Sequence, residues 1–370
     1  MDYESQASLQ AALGSIESGS YFRPAKARYL PAVDCLRLPV GTGAALMSEV
    51  PLTQSKWQVD DAAPEHTPKI LELFKAVFGQ EMSEAHWHWK YGEGRGAGIV
   101  VHEDNELVAY FGGMERRILF KGLPATAFQS GDSMVAREHR GTLSKRGPFF
   151  LSVAAFQDRY LGHGRPYLIS YGFPNERAMR LAERLGMYTQ IGRLFEICWP
   201  AEPSLRFRPV PFEFDNDEHR KALETLWHAM SEQFGDRAIG VRDLEYLAHR
   251  YRDHPTQAYL IHLVFDDSTA QLLGIVVARK AESRLILVDF VGHQQAFRDL
   301  ICYTRSLASE QHCAEVFGWL TDLDCYLITG TGEQINELPL RLPFGVYRRG
   351  LDPEEIRDRW FFMCGDSDFM

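Results

Sequence analysis

Residues Ser133 to Gly186 constrain this chain most. In order they read as a strand, a basic loop, a helix, a second strand, a turn and a second helix. Met134-Val135-Ala-Arg137-Glu-His-Arg140-Gly141 ends the strand and opens the loop, and Lys145 and Arg146 continue its basic character. Gly147 allows a close backbone turn. Pro148 suits the first helical position, where its missing N–H costs nothing. Phe149, Val153, Phe156 and Tyr160 then recur at helical spacing, which predicts a helix over 148–162. Its first N–H groups and the positive end of its dipole face the loop. With Arg137, Arg140, Lys145 and Arg146 around it, the element either holds a diphosphate or is a solvated basic cap. After the strand Tyr167–Ser170, Asn175 is placed to cap a helix that stops at Leu185-Gly186.

That local basicity stands in a chain of net charge −10, which argues against a broad nucleic-acid surface but leaves room for one basic pocket. No apolar run is long enough to span a bilayer, and the N-terminus has no signal-peptide pattern. The six cysteines are scattered singly, which suits reduced thiols and a cytoplasmic location. His86 and His88 point to different faces of a helix, so they do not chelate one metal there, and no metal is expected.

Length favours two domains. Residues 1–55, punctuated by Pro31, Pro39, Gly41, Gly43 and Pro51, read as an N-terminal extension. The body begins near Trp57 with helices over 66–78 and 83–91. Antiparallel strands follow, turning at Glu103-Asp-Asn-Glu106 and at Lys121-Gly122. The strand Thr189–Trp199 closes the first domain, assigned to 56–200. Pro200, Pro203, Pro209 and Pro211 predict a linker. The second domain, 201–370, repeats the order: helices over 218–234 and 241–251, strands over 258–265, 272–278 and 285–291, and a helix over 294–311. Trp89-Lys-Tyr91 and the strands after it match His249-Arg-Tyr251 and its strands at an offset near 160 residues. The second copy lacks the basic loop, so it reads as one that kept the fold and lost the site. The Gly330-Thr-Gly332 pair is expected to be a turn.

Taken together, Val135, Arg140-Gly141, Gly147-Pro148-Phe149, Asn175-Glu-Arg-Ala178 and Leu185-Gly-Met187 resemble the signature of the GCN5-related N-acetyltransferase (GNAT) superfamily over roughly residues 60–200. The duplicated order resembles its tandem-domain members. One departure is that Gly141 and Gly147 stand farther apart than the family's usual glycine spacing, so the loop is longer. The resemblance implies an α/β (α+β) fold of two GNAT-like domains, each a mixed, largely antiparallel twisted sheet flanked by helices. It implies acetyl-CoA or another acyl-CoA as co-substrate. The pantetheine arm would lie along Ser133–Val135, with Met134 and Val135 bonding through the backbone and Asn175 reaching the arm. Arg140, Gly141, Lys145, Arg146, Gly147, Pro148 and Phe149 would surround the diphosphate.

Direct acyl transfer then needs a base and an acid. Asp132, beside the pantetheine strand, is the candidate base, against a turn-capping role. Tyr171 is the candidate acid, against a core position. Asp366 and Asp368 sit in a tail read as a frayed acidic end, with entry of that tail into the first domain's site as the alternative. The expected partner is a small-molecule amine, such as an amino sugar or amino acid, in an interdomain pocket rich in aromatic residues and carboxylates. No nucleic acid or membrane is expected, and a homodimer is compatible. Two rivals remain, a non-catalytic acyl-CoA-binding module and an aminoacyl-tRNA-dependent transferase on the same tandem fold.

Overall fold

A computed structural model describes residues 56–140, 145–328, 330–346 and 350–368. The predicted extension 1–55 lies outside these residues.

The first sheet is built from β1 (Gln58–Asp61), β2 (Gly96–Glu103), β3 (Glu106–Phe120), β4 (Leu123–Val135) and β5 (Ile169–Tyr171), paired in that order. The helices α1 (Thr67–Phe78) and α2 (Glu84–Tyr91) separate β1 from β2. Ile70, Leu73 and Phe74 recur on one face of α1 and are buried against Val100, Tyr110 and Met134. Each such side chain contributes about 1.5–3 kcal/mol by leaving water. Two hairpins meander as expected. Asp104 and Asn105 have positive φ, as do Lys121 and Gly122, which is the backbone a two-residue turn between twisted strands requires. Between β4 and β5 lies α3 (Pro148–Tyr160), and α4 (Glu176–Arg184) follows β5.

The next strand changes sheets. β6 (Tyr188–Pro200), expected to close the first domain, hydrogen-bonds inside the second sheet. That sheet adds β7 (Phe207–Pro211), β9 (Leu260–Asp266), β10 (Leu272–Ala281), β11 (Arg284–Gly292), β12 (Glu315–Thr321) and β13 (Gln334–Gly345), in the order β13-β6-β12-β11-β10-β9-β7. In return β8 (Ala238–Gly240) pairs with β3, and β14 (Trp360–Phe361) pairs with β8, so both join the first sheet. The helices of this half are α5 (Asp217–Gln233), α6 (Leu244–Leu247), continued by a π-turn over Ala248–Arg252, and α7 (Phe297–Glu310). The proline-rich linker is only partly a linker. Residues 207–211 form an edge strand, where Pro209 and Pro211 can lack an N–H without breaking an inner ladder. Gly330 and Gly332 both have positive φ and form the expected turn.

The two sheets repeat one plan. In each, three antiparallel pairings lead to one parallel pairing, β4 with β5 and β11 with β12. Trp89 and His249, matched in the sequence repeat, stack at 5.2 Å, and the Trp89 indole N–H donates to the His249 carbonyl at 2.8 Å. The two copies therefore face each other across this contact. The architecture is a pair of mixed, largely antiparallel sheets flanked by helices.

Candidate active site

Parallel pairing of β4 with β5 ends at Gln129–Tyr171, yet β4 runs on to Val135. β5 stops there, which leaves a wedge beside the rest of β4. Its apex is stapled by the Ser130 hydroxyl, which donates to the Tyr171 carbonyl at 2.7 Å. Just beyond the apex β4 bulges: Asp132 and Ser133 oppose Phe111 alone, and Asp132 takes a φ of 50°. A bulge re-aims a side chain. Here it turns Asp132 toward α2, where the Lys90 ammonium lies 2.6 Å away and the Tyr91 hydroxyl donates to the same carboxylate oxygen.

The end of the chain reaches this point. Asp368 accepts from Lys90 at 2.9 Å and from the Gln129 amide at 2.7 Å. Asp366 is clamped by Arg116 and Arg242, each at 2.7 Å. The Tyr246 hydroxyl donates to the Gly365 carbonyl and Arg250 to that of Ser367. Residues 364–367 are buried, so through Asp368 the tail is an inserted segment and not a frayed end. Burial opposes the charge on Lys90, but Asp132 and Asp368 outweigh it and hold its pKa above the usual lysine value. Burial also opposes ionisation of Asp366 and Asp368. Arg242 and Arg116 on the first, and Lys90 on the second, hold both below the usual carboxylate range.

The second copy reproduces this pattern with a different outcome. Parallel pairing of β11 with β12 ends at Ile286–Phe317, and Asp289 stands as far beyond that pair as Asp132 stands beyond Gln129. The Tyr251 hydroxyl donates to Asp289 at 2.8 Å, as Tyr91 does to Asp132. Arg242 takes the other Asp289 oxygen at 2.8 Å. This second wedge is filled by residues 360–366. Thr321 on β12 donates to the Trp360 carbonyl at 2.7 Å, and a Cβ on Gly365 would stand 2.9 Å from an Asp289 oxygen. Residues 360–366 thus plug the wedge of the second copy, and Asp368 stands at that of the first.

Of the predicted cofactor residues, Met134 and Val135 lie on the part of β4 beyond its pairing with β5. Gly147 caps α3 without any side-chain bond, and Pro148 begins the helix as expected. Arg140, Lys145 and Arg146 are exposed beside it, and Arg140 Nε donates to the Val135 carbonyl at 2.9 Å. Gly141 lies outside the described residues. The Met134 side chain belongs to the core under α1, which leaves its backbone to the wedge, and Val135 and Phe149 are half-buried in neighbouring clusters. The side-chain oxygen of Asn175 accepts from the Ala178 N–H at 2.9 Å, so that oxygen caps α4 and does not reach outward.

Tyr171 is 1% exposed. Its ring packs against Trp360 and Phe362, and its hydroxyl lies 3.0 Å from the Asp366 carbonyl. Burial pushes the phenol well above its ordinary value, so it stays protonated, but that proton holds the tail. Lys90, Gln129, Tyr91 and the arginines were not singled out from the sequence. The signal that could have found them was the Trp89-Lys-Tyr91 and His249-Arg-Tyr251 match, read there only as a fold repeat.

A cavity of about 170 Å³ opens between the copies, with Trp89, Tyr246 and His249 in its wall. The aromatic half of the pocket expectation holds. The carboxylate half is corrected: Lys90, Arg95, Arg116, Arg117 and Arg250 line it against Glu115 and Glu245 alone. Beside it, burial and then the charge of Arg250 among others lower His254 to about 2, and burial with Arg95 and Arg250 lowers His249 to about 4. Both histidines are neutral when folded and protonate near pH 6.5 when unfolded. Their contribution is therefore complete above pH 6.5 and is lost as acid takes the pH down, through 4 for His249 and on toward 2 for His254. The expected result is a melting temperature that falls from pH 6.5 to 4, less steeply in His249→Gln/His254→Gln; equal slopes in scanning calorimetry would contradict it.

Residues 58–191 match the family model described as acetyltransferase (GNAT) domain. No curated protein sequence matches the chain. Among solved structures, a probable N-acyltransferase from Enterococcus faecalis V583 superposes with a TM-score of 0.58 at 14% identity, covering 78% of this chain and 71% of the other. GCN5-related N-acetyltransferases from Kribbella flavida and Anabaena variabilis ATCC 29413 each give 0.55, at 16% and 12% identity, over 79% of this chain and 72% and 73% of theirs. These likenesses concern the fold. The family match therefore concerns residues 58–191, which are similar to a GNAT acetyltransferase domain. Among the described residues no helix is long and apolar enough to cross a membrane.

Proposed function

We propose that the protein moves an acetyl or other acyl group from acyl-CoA to the amine of a small molecule, at the wedge between β4 and β5. The observation that carries this reading is that β4 runs on to Val135 after β5 has ended at Tyr171. Among the described residues this leaves the backbone of 131–135 without a partner strand on the β5 side, and a pantetheine arm can add there as a strand does. The N-terminus of α3, begun by Gly147 and Pro148 and preceded by the exposed Lys145 and Arg146, suits the diphosphate.

In this reading Asp132 takes the proton from the attacking nitrogen. An N–C bond forms, the thioester C–S bond breaks, and CoA leaves as a thiol after taking up a proton. Lys90 and Tyr91 hold the Asp132 carboxylate in place. Gln129 and Asp368 close the same side of the wedge, and Tyr171 anchors the segment that carries Asp368. The second wedge, filled by residues 360–366, takes no acyl-CoA. The reading is tested by incubating the full chain with acetyl-CoA and a library of small amines and measuring thiol release. Release that depends on one class of amine is expected. Acetyl-CoA binding with no release for any amine would favour a non-catalytic acyl-CoA-binding protein.

A further inference from the structure

We infer that the acceptor is a small amine carrying a carboxylate, of amino-acid type, and that the arginine-lined cavity between the copies recognises the carboxylate. The inference rests on the acyl-transfer reading for its use of the amine, but its evidence is the cavity itself. Lys90 and Gln129 are in the cavity wall, and both bond to Asp368, with Lys90 also bonding to Asp132. The wall therefore adjoins two carboxylates, which suit an ammonium group. Arg95, Arg116, Arg117 and Arg250 make up much of the rest of the wall, with Glu115 and Glu245. Arg95 is paired with Glu93, Arg116 with Asp366 and Arg117 with Asp243.

Arg116 is the decisive member. It is 7% exposed, and its Nε has no hydrogen-bond acceptor among the described residues. Its other nitrogens are held by Asp366 and by the Arg117 and Val241 carbonyls, and its plane lies 3.8 Å from the Tyr246 ring. A buried guanidinium with a donor to spare, fixed by packing on a ring, is a preorganised anion receptor. At about 170 Å³ the cavity is smaller than the roughly 300–1,000 Å³ of drug-sized ligand sites, so the ligand is small.

The test compares each common amino acid with its own α-amide, which removes the negative charge and keeps the amine and side chain. Both are titrated calorimetrically against the full chain without acyl-CoA, and the same pairs are then compared as acceptors. At least one acid is expected to bind about 10- to 100-fold more tightly than its amide, the scale of a charge-assisted bond. The preference is expected to shrink to below threefold in Arg116→Gln, checked for folding by its melting temperature. Amides that bind as tightly as the acids, or no binding of either, overturn the inference whatever the variant does. A preference for acids in binding with no thiol release for any pair would overturn the acyl-transfer reading and leave this one standing.

Discussion

Replacing Asp366 with alanine is expected to destabilise the protein by about 3–5 kcal/mol, because it strands buried charge. Arg242 is 0% exposed and keeps Asp289, but Arg116 loses the only carboxylate within bonding distance of it among the described residues. The same change loosens the segment that fills the second wedge, since the Met363 N–H also donates to Asp366 at 3.1 Å. The effect should appear as a melting temperature lowered on the order of 5–10 °C. Pairing the change with Arg116→Met should recover part of it, because the uncompensated cation is then gone. A drop below about 1 kcal/mol, or no recovery in the double variant, would mean that the tail is not held as described.

Asp132→Asn is the complementary change, with a large effect on chemistry and a small one on the fold. Asparagine keeps the shape and an acceptor for Tyr91, and Lys90 retains Asp368. A general base contributes about 10²–10⁴-fold to a rate. The variant should therefore lose turnover by that factor while its affinity for acetyl-CoA and its melting temperature stay near those of the parent. Turnover within threefold of the parent, with amine and acyl-CoA saturating, would reduce Asp132 to a strut for Lys90.

Much of the fold was legible because local rules governed it. Gly147-Pro148 starts α3, Asn175 caps α4, and the positive φ values at Asp104-Asn105 and Lys121-Gly122 sit where turn-forming residues stood. What escaped was set by tertiary pairing. β8 and β14 are three and two residues long, too short for a periodic signal, and each exists only because a strand lies beside it. The sheet exchange of β6 is likewise invisible in its own residues. Of the candidate site, the side proposed for acyl-CoA was readable as a strand–loop–helix motif. The carboxylate side was not, because Lys90, Asp132 and Asp368 meet only through long-range folding. The tail was misjudged for the same reason. Acidic residues at a chain end look solvated until Arg116, Arg242 and Lys90 are brought around them.

The central claim is that two wedges of one plan have divided their roles: the first receives acyl-CoA, and the second is filled by the chain's own end. Titration calorimetry of the full chain with acetyl-CoA tests it most directly. The account predicts saturable binding of one equivalent per chain. No heat of binding, or two equivalents per chain, would contradict it.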